Sequence, residues 1–114
     1  MSRRDPAVSL RQMLEHAHEA VELMRGRSRG DLDSDRLLGL ALVRLLEIIG
    51  EAAARVPSEE QVRRPGVPWP QIVGLRNRLI HGYDNIDYDI VWQIVTTDLP
   101  LLASELSRSF PDQS

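Results

Sequence analysis

Apolar residues recur along the chain at spacings of three and four, and no run alternates with period two over a length that would suggest a sheet. Asp5 stands as a helix N-cap before Pro6, which suits the first helical position because its missing N–H would be unpaired there anyway. Leu10, Leu14, Ala17, Val21 and Met24, with Met13 and Ala20 beside them, then form one apolar face, and the segment Gly26–Gly30 ends the helix. A second helix, from about Ser34 to Val56, carries Leu37, Leu38, Ala41, Leu42, Leu45, Leu46, Ile48, Ile49, Ala52 and Ala53, and so predicts packing partners on two sides. Its polar residues Arg44, Glu47, Glu51 and Arg55 fall into one narrow stripe, read equally well as a solvated face or a functional one.

After Pro57, Ser58-Glu59-Glu60-Gln61 has the form of a capping box, with Ser58 as N-cap of a short helix that Pro65-Gly66 stops. Pro68-Trp69-Pro70 opens a third main helix through Ile72, Leu75 and Leu79 toward Gly82, a C-terminal breaker. The last helix begins at Asp87, with Ile86 and Val91 spaced as a hydrophobic staple, and runs through Ile94, Val95, Leu99, Leu102 and Leu106; Pro100 should kink or split it. Four main helices and short loops predict an all-α, antiparallel bundle.

At 114 residues the chain is long enough for one domain, read here as spanning 1–114. It has no cysteine, hence no disulfide framework and no thiolate metal cage, and no stretch nears the ~18 apolar residues of a membrane span. With no signal-peptide pattern at the N-terminus, the expectation is a cytoplasmic protein without a membrane partner. A formal net charge of −3 excludes a protein that coats nucleic acid by bulk electrostatics. All fourteen basic residues are arginine, and between Gln61 and Tyr83 Arg63, Arg64, Arg76 and Arg78 occur without an acid, a local basic patch suited to phosphate.

The candidate chemistry lies in Arg76-Asn77-Arg78-Leu79-Ile80-His81-Gly82-Tyr83. On an ideal helix Asn77 and His81 share a face, with Arg76 and Tyr83 on a neighbouring one. His81 can take a proton from a ribose 2′-hydroxyl or give one to a leaving oxygen, and Arg76 can hold a phosphate and its growing charge. Asn77 can orient either partner, and Tyr83 can hold a proton or stack on a base. A nucleophile supplied by RNA itself would account for the lack of an evident Ser–His or Cys–His pair. The same spacing also fits a dipole-stabilised helix end with Arg76 paired to Asp84 or Asp87. His16 and His18, two apart, do not form a metal pair, and neither a metal nor a cofactor is expected.

Arg76-x-x-x-x-His81-x-Tyr83, with polar Asn77 after the arginine, resembles the signature of HEPN-domain ribonucleases, specifically the HepT-like toxins. The likeness extends to Leu46-Glu47-Ile48-Ile49-Gly50-Glu51-Ala52-Ala53, Val67-Pro68-Trp69 and Asp89-Ile90-Val91-Trp92, and so covers the chain from about Asp5 to Leu106. The resemblance implies an up-and-down bundle of four to five helices that forms a homodimer, with the motifs of two subunits facing one cleft. It also implies a metal-independent endoribonuclease that leaves 2′,3′-cyclic phosphate ends, in a type VII toxin–antitoxin pair with a MntA-like nucleotidyltransferase antitoxin. Arg76 and His81 would be catalytic, Asn77 supporting, and Tyr83 the residue that receives AMP; Arg78, Glu47 and Glu51 are further candidates for lining the cleft. Asp84-Asn85-Ile86 is more polar than the corresponding stretch of many relatives. Two other functions remain open from the residues: a non-catalytic HEPN module that binds a nucleotide or a nucleotidyltransferase, and a structural bundle without chemistry.

Overall fold

The computed structural model describes residues 5–81 and 85–111, so Tyr83 and its neighbours Gly82 and Asp84 lie outside the described residues. The fold is mostly helical. Helix α1 spans Pro6–Leu23, with the Asp5 carboxylate accepting the Ala7 N–H at 2.9 Å, and it buries Leu10, Met13, Leu14, Ala17 and Ala20. Gly26, with φ of 73°, turns the chain out of it through the left-handed region that a side chain would strain. A single turn, α2 (Asp31–Ser34), which the apolar pattern does not announce, seats Leu32 in the core.

Helix α3 (Arg36–Ala54) starts at Asp35, whose carboxylate accepts the Leu38 N–H at 3.1 Å. It is the central element: α1 packs on one side of it, and the short helices α5 (Trp69–Val73) and α6 (Leu75–Leu79) on another. Two-sided burial is what its excess of leucine and isoleucine requires, since each buried side chain of that size contributes about 1.5–3 kcal/mol. Leu37 and Leu40 remain outside this packing, at 77% and 47% exposure.

Three local expectations are corrected. Helix α4 (Ser58–Val62) has Pro57 as its N-cap, with Ser58 already in the first turn; Gln61 Nε2 reaches back to the Val56 carbonyl at 3.1 Å. The third main helix does not run unbroken to Gly82. It breaks at Gly74 into α5 and α6, and α6 ends at Leu79, where the chain becomes extended. Two short strands follow, β1 (Ile80–His81) and β2 (Asn85–Ile86), paired antiparallel with Ile80 opposite Ile86 and His81 opposite Asn85. A two-residue strand cannot carry a readable alternation, so it is invisible to periodicity.

Helix α7 (Tyr88–Gln93) begins at Asp87 as anticipated, its carboxylate accepting the Asp89 and Ile90 amides at 3.1 and 3.2 Å. The last α-helix is interrupted just before Pro100. The turn before it widens to a π conformation over Ile94–Asp98, and α8 (Leu99–Ser107) continues with Pro100 in its first turn, where no N–H is needed. Helix α8 packs on α1, and the apolar residues of all these elements join in one core cluster. No helix among the described residues is long and apolar enough to cross a membrane.

Candidate functional site

The segment that carries the arginines and the histidine is positioned from below by Trp69. Its buried indole N–H donates to the carbonyls of Gln61 and Arg64 at 3.0 and 3.2 Å, which ties the Pro65–Pro68 turn to α4 and sets where α5 begins. Ile72, Leu75 and Leu79 are fully buried, so α5 and α6 lie with one face on the core and present Arg76 and Asn77 outward.

Arg76 reaches back to α3, its Nε donating to Glu47 Oε2 at 3.4 Å, while Arg44 Nη1 lies 3.7 Å from the other Glu47 oxygen and 3.9 Å from Glu51. Arg76, Asn77, Glu47 and Glu51, with Gly50, Ala54 and Val73, line a shallow cavity of about 260 Å³. The polar stripe of α3 and the outward face of α6 thus form one surface. Arg78 points elsewhere: its Nη2 bonds to Asp98 Oδ2 at 3.0 Å beside the π turn, and it does not line that cavity.

His81 sits apart from α6. Because the helix ends at Leu79, His81 belongs to β1 and does not share a helical face with Asn77, as ideal spacing would have it. Its half-exposed ring places Nε2 at 3.5 Å from Asp87 Oδ2. It lines a second, larger depression of about 390 Å³ with Arg29, Asp33, Asn85, Ile86, Asp87 and Tyr88. Arg29 is held there by Asp89 at 2.7 Å and Asp33 at 3.0 Å. These two hydrogen bonds, the one to Asp89 foremost, hold its guanidinium pKa above the ordinary arginine value.

Arg76 and His81 therefore line different depressions within one chain. His16 Nδ1 donates to the Gln12 carbonyl at 2.7 Å, a local helical contact, and His18 is exposed. Of the residues that line the histidine depression, the sequence reading names only His81 as a site residue; Arg29, Asp33, Asn85, Ile86, Asp87 and Tyr88 are missed. Arg29 and Asp89 are sixty positions apart, and no local pattern signals such a pairing.

An open imidazole in one depression and an outward arginine in the other supply a proton-transfer group and a phosphate-holding group without a built-in nucleophile. Comparison with known proteins narrows that chemistry. The profile of the family described as "Ribonuclease HepT-like" matches residues 13–109. A protein of Methanocaldococcus jannaschii named "Putative RNase MJ1380" is 38% identical over 106 residues, covering 93% of this chain and 97% of that one. "Putative RNase TTE0752" of Caldanaerobacter subterraneus subsp. tengcongensis is 35% identical over 103 residues, 90% of this chain and 92% of its own. "Probable ribonuclease HepT" of Thermococcus cleftensis is 33% identical over 104 residues, 88% of this chain and 94% of its own. No solved structure matches the chain significantly. With a profile match over most of its length and relatives covered almost end to end, the chain belongs to the HepT-like ribonuclease family, and its mostly helical architecture is compatible with the HEPN-like all-α fold.

Proposed function

We propose that this protein is a metal-independent endoribonuclease toxin of a type VII, HepT/MntA-like pair, acting in the cytoplasm as a single HEPN domain over residues 1–114 and as a homodimer. The observation that carries this reading is the near full-length match to ribonucleases, joined to the outward placement of Arg76 and His81 on a polar surface. In the reaction the ribose 2′-oxygen attacks the adjacent phosphorus, the bond from phosphorus to the 5′-oxygen breaks, and a 2′,3′-cyclic phosphate is left. His81 moves the proton, from the 2′-hydroxyl or to the 5′-oxygen, and Arg76 offsets the charge that grows on the phosphoryl oxygens. Asn77 supports the arginine side. Glu47 keeps Arg76 folded back on α3 until a phosphate competes for it, Glu51 lines the same cavity, and Arg78, bonded to Asp98, lies outside it.

Separation of Arg76 and His81 into two depressions of one chain fits a site completed by a second copy, because an isologous interface brings the depressions of two chains together. Leu37 and Leu40, apolar and exposed on α3, suit such a contact. Tyr83, two residues beyond His81, is placed by the motif to receive AMP from a MntA-like nucleotidyltransferase antitoxin, a bulky anion that would block RNA.

Purified protein freed of antitoxin should cut RNA in the presence of EDTA and leave cyclic phosphate ends. His81→Ala should lose about 10²–10⁴-fold in rate, the span general acid–base catalysis contributes, and Arg76→Ala about 10²–10³-fold, the span of one lost charge-stabilising donor. An unaffected His81→Ala variant would remove the nuclease assignment. Retained RNA or partner binding without any cleavage by the wild type would favour the non-catalytic module. Co-expression with the antitoxin should add the mass of AMP, and Tyr83→Phe should abolish the addition.

A further inference from the structure

We propose that Asp87 is the positioning residue for His81, selecting which ring nitrogen serves as the base while it caps helix α7. The catalytic half of this statement rests on the ribonuclease reading above; the structural half does not.

The two carboxylate oxygens of Asp87 have separate partners. Oδ1 accepts the Asp89 and Ile90 amides at 3.1 and 3.2 Å, which closes the first turn of α7, and Oδ2 faces His81 Nε2 at 3.5 Å. The backbone is held as well, since the Asp87 N–H donates to the Leu79 carbonyl at 2.8 Å and His81 pairs with Asn85 in the short ladder. Backbone and side chain of Asp87 are thus both fixed, and the carboxylate cannot turn away from the ring without giving up two cap hydrogen bonds. Of the neighbouring acids, Asp33 and Asp89 are engaged with Arg29 at 3.0 and 2.7 Å. Among the described residues, Asp87 is the carboxylate within ion-pair distance of His81.

A carboxylate accepts and does not donate, so a neutral ring that closes the 3.5 Å gap to hydrogen-bond contact does so with Nε2 protonated. Asp87 therefore favours the Nε2–H tautomer of neutral His81, which leaves the Nδ1 lone pair to take the 2′-hydroxyl proton. When that proton arrives, the imidazolium forms beside a fixed negative charge.

Asp87→Asn tests this because asparagine caps a helix as well as aspartate does. If its carbonyl keeps the cap, its amide group donates toward His81 Nε2 and reverses the tautomer to Nδ1–H. Asp87→Ser keeps a cap but removes the contact with the ring. Wild type, both variants and His81→Ala are compared by thermal melting, by long-range 1H–15N correlation of the neutral His81 ring, and by kcat and KM on an RNA oligonucleotide. The expected result is a melting temperature changed by a few degrees, an Nε2–H ring in wild type, an Nδ1–H ring in Asp87→Asn and a mixture in Asp87→Ser. With it should come a fall in kcat of about 10- to 100-fold at little change in KM, smaller than the ~10²–10⁴ of acid–base catalysis as a whole. The same tautomer in all three proteins overturns the proposal. So does wild-type kcat in Asp87→Asn when His81→Ala is inactive. If wild type cuts no RNA, the ribonuclease reading fails on its own, and the ring spectra still decide whether Asp87 orders His81.

Discussion

Gly50 sits where α3 passes beneath the corner between α5 and α6, and adding a side chain there tests whether that corner sets both stability and the placement of Arg76. A Cβ built on Gly50 would stand 3.2 Å from the Ile72 carbonyl oxygen, 3.6 Å from that of Val73 and 3.7 Å from Leu75 Cβ. The nearest of these atoms is backbone, so relief means moving α5 by a few tenths of an ångström. Gly50→Ala gains about 1 kcal/mol of helix propensity and loses about 1–3 kcal/mol to overpacking, for a net loss of about 0–2 kcal/mol. Gly50→Val adds two more carbons against the same carbonyls and forfeits most of the helical gain, so the net loss approaches ~3 kcal/mol. For a domain of this size about 1 kcal/mol corresponds to a shift of roughly 4 °C, so the valine variant should melt about 12 °C below wild type by circular dichroism at 222 nm. Because Arg76 and Asn77 ride on α6, its RNA cleavage measured well below the melting point should fall too. Melting of Gly50→Val within about 3 °C of wild type, or an alanine variant stabilised by the full ~1 kcal/mol, would refute the close approach.

Other consequences follow from single contacts. Trp69→Phe removes an indole N–H that donates to the Gln61 and Arg64 carbonyls, but each carbonyl keeps a backbone donor, Arg64 N–H at 3.0 Å and Val67 N–H at 3.1 Å. The loss should therefore stay near ~1 kcal/mol by urea denaturation, and a loss above ~3 kcal/mol would mean the carbonyls are left bare. Asp35 has its pKa lowered, first by the Leu38 amide it accepts, with Arg27 adding to the effect and partial burial opposing it. A depressed folded pKa contributes stability above the ordinary carboxylate range that is lost as pH falls through the lowered value. Wild type should therefore exceed Asp35→Asn in urea midpoint at neutral pH, and the gap should close well below pH 4; a gap of the same size in acid would exclude this role.

The helices were legible because their signals are local. Asp5 and Asp87 cap helices where the residues suggest, and the apolar repeats of α1 and α3 identify buried faces from the period alone. Failures occur where a neighbour overrides the local rule. Ser58 yields the N-cap to Pro57, with Gln61 Nε2 donating to the Val56 carbonyl, and the long third helix breaks at Gly74. The candidate site was legible as a set of residues and not as an arrangement. Spacing on an ideal helix puts His81 beside Asn77, whereas the end of α6 at Leu79 swings it toward Asp87, Arg29 and Tyr88.

The sequence by itself determined the helical class, the core faces and the residues able to move a proton and hold a phosphate. These depend on side-chain chemistry and on periods of three and four. Only tertiary structure decided that Glu47 holds Arg76, that Asp98 draws Arg78 to another side, and that His81 meets the carboxylate of Asp87. Each of those pairings joins different elements of the chain, and their distance and direction arise from how the helices pack, which no local pattern encodes.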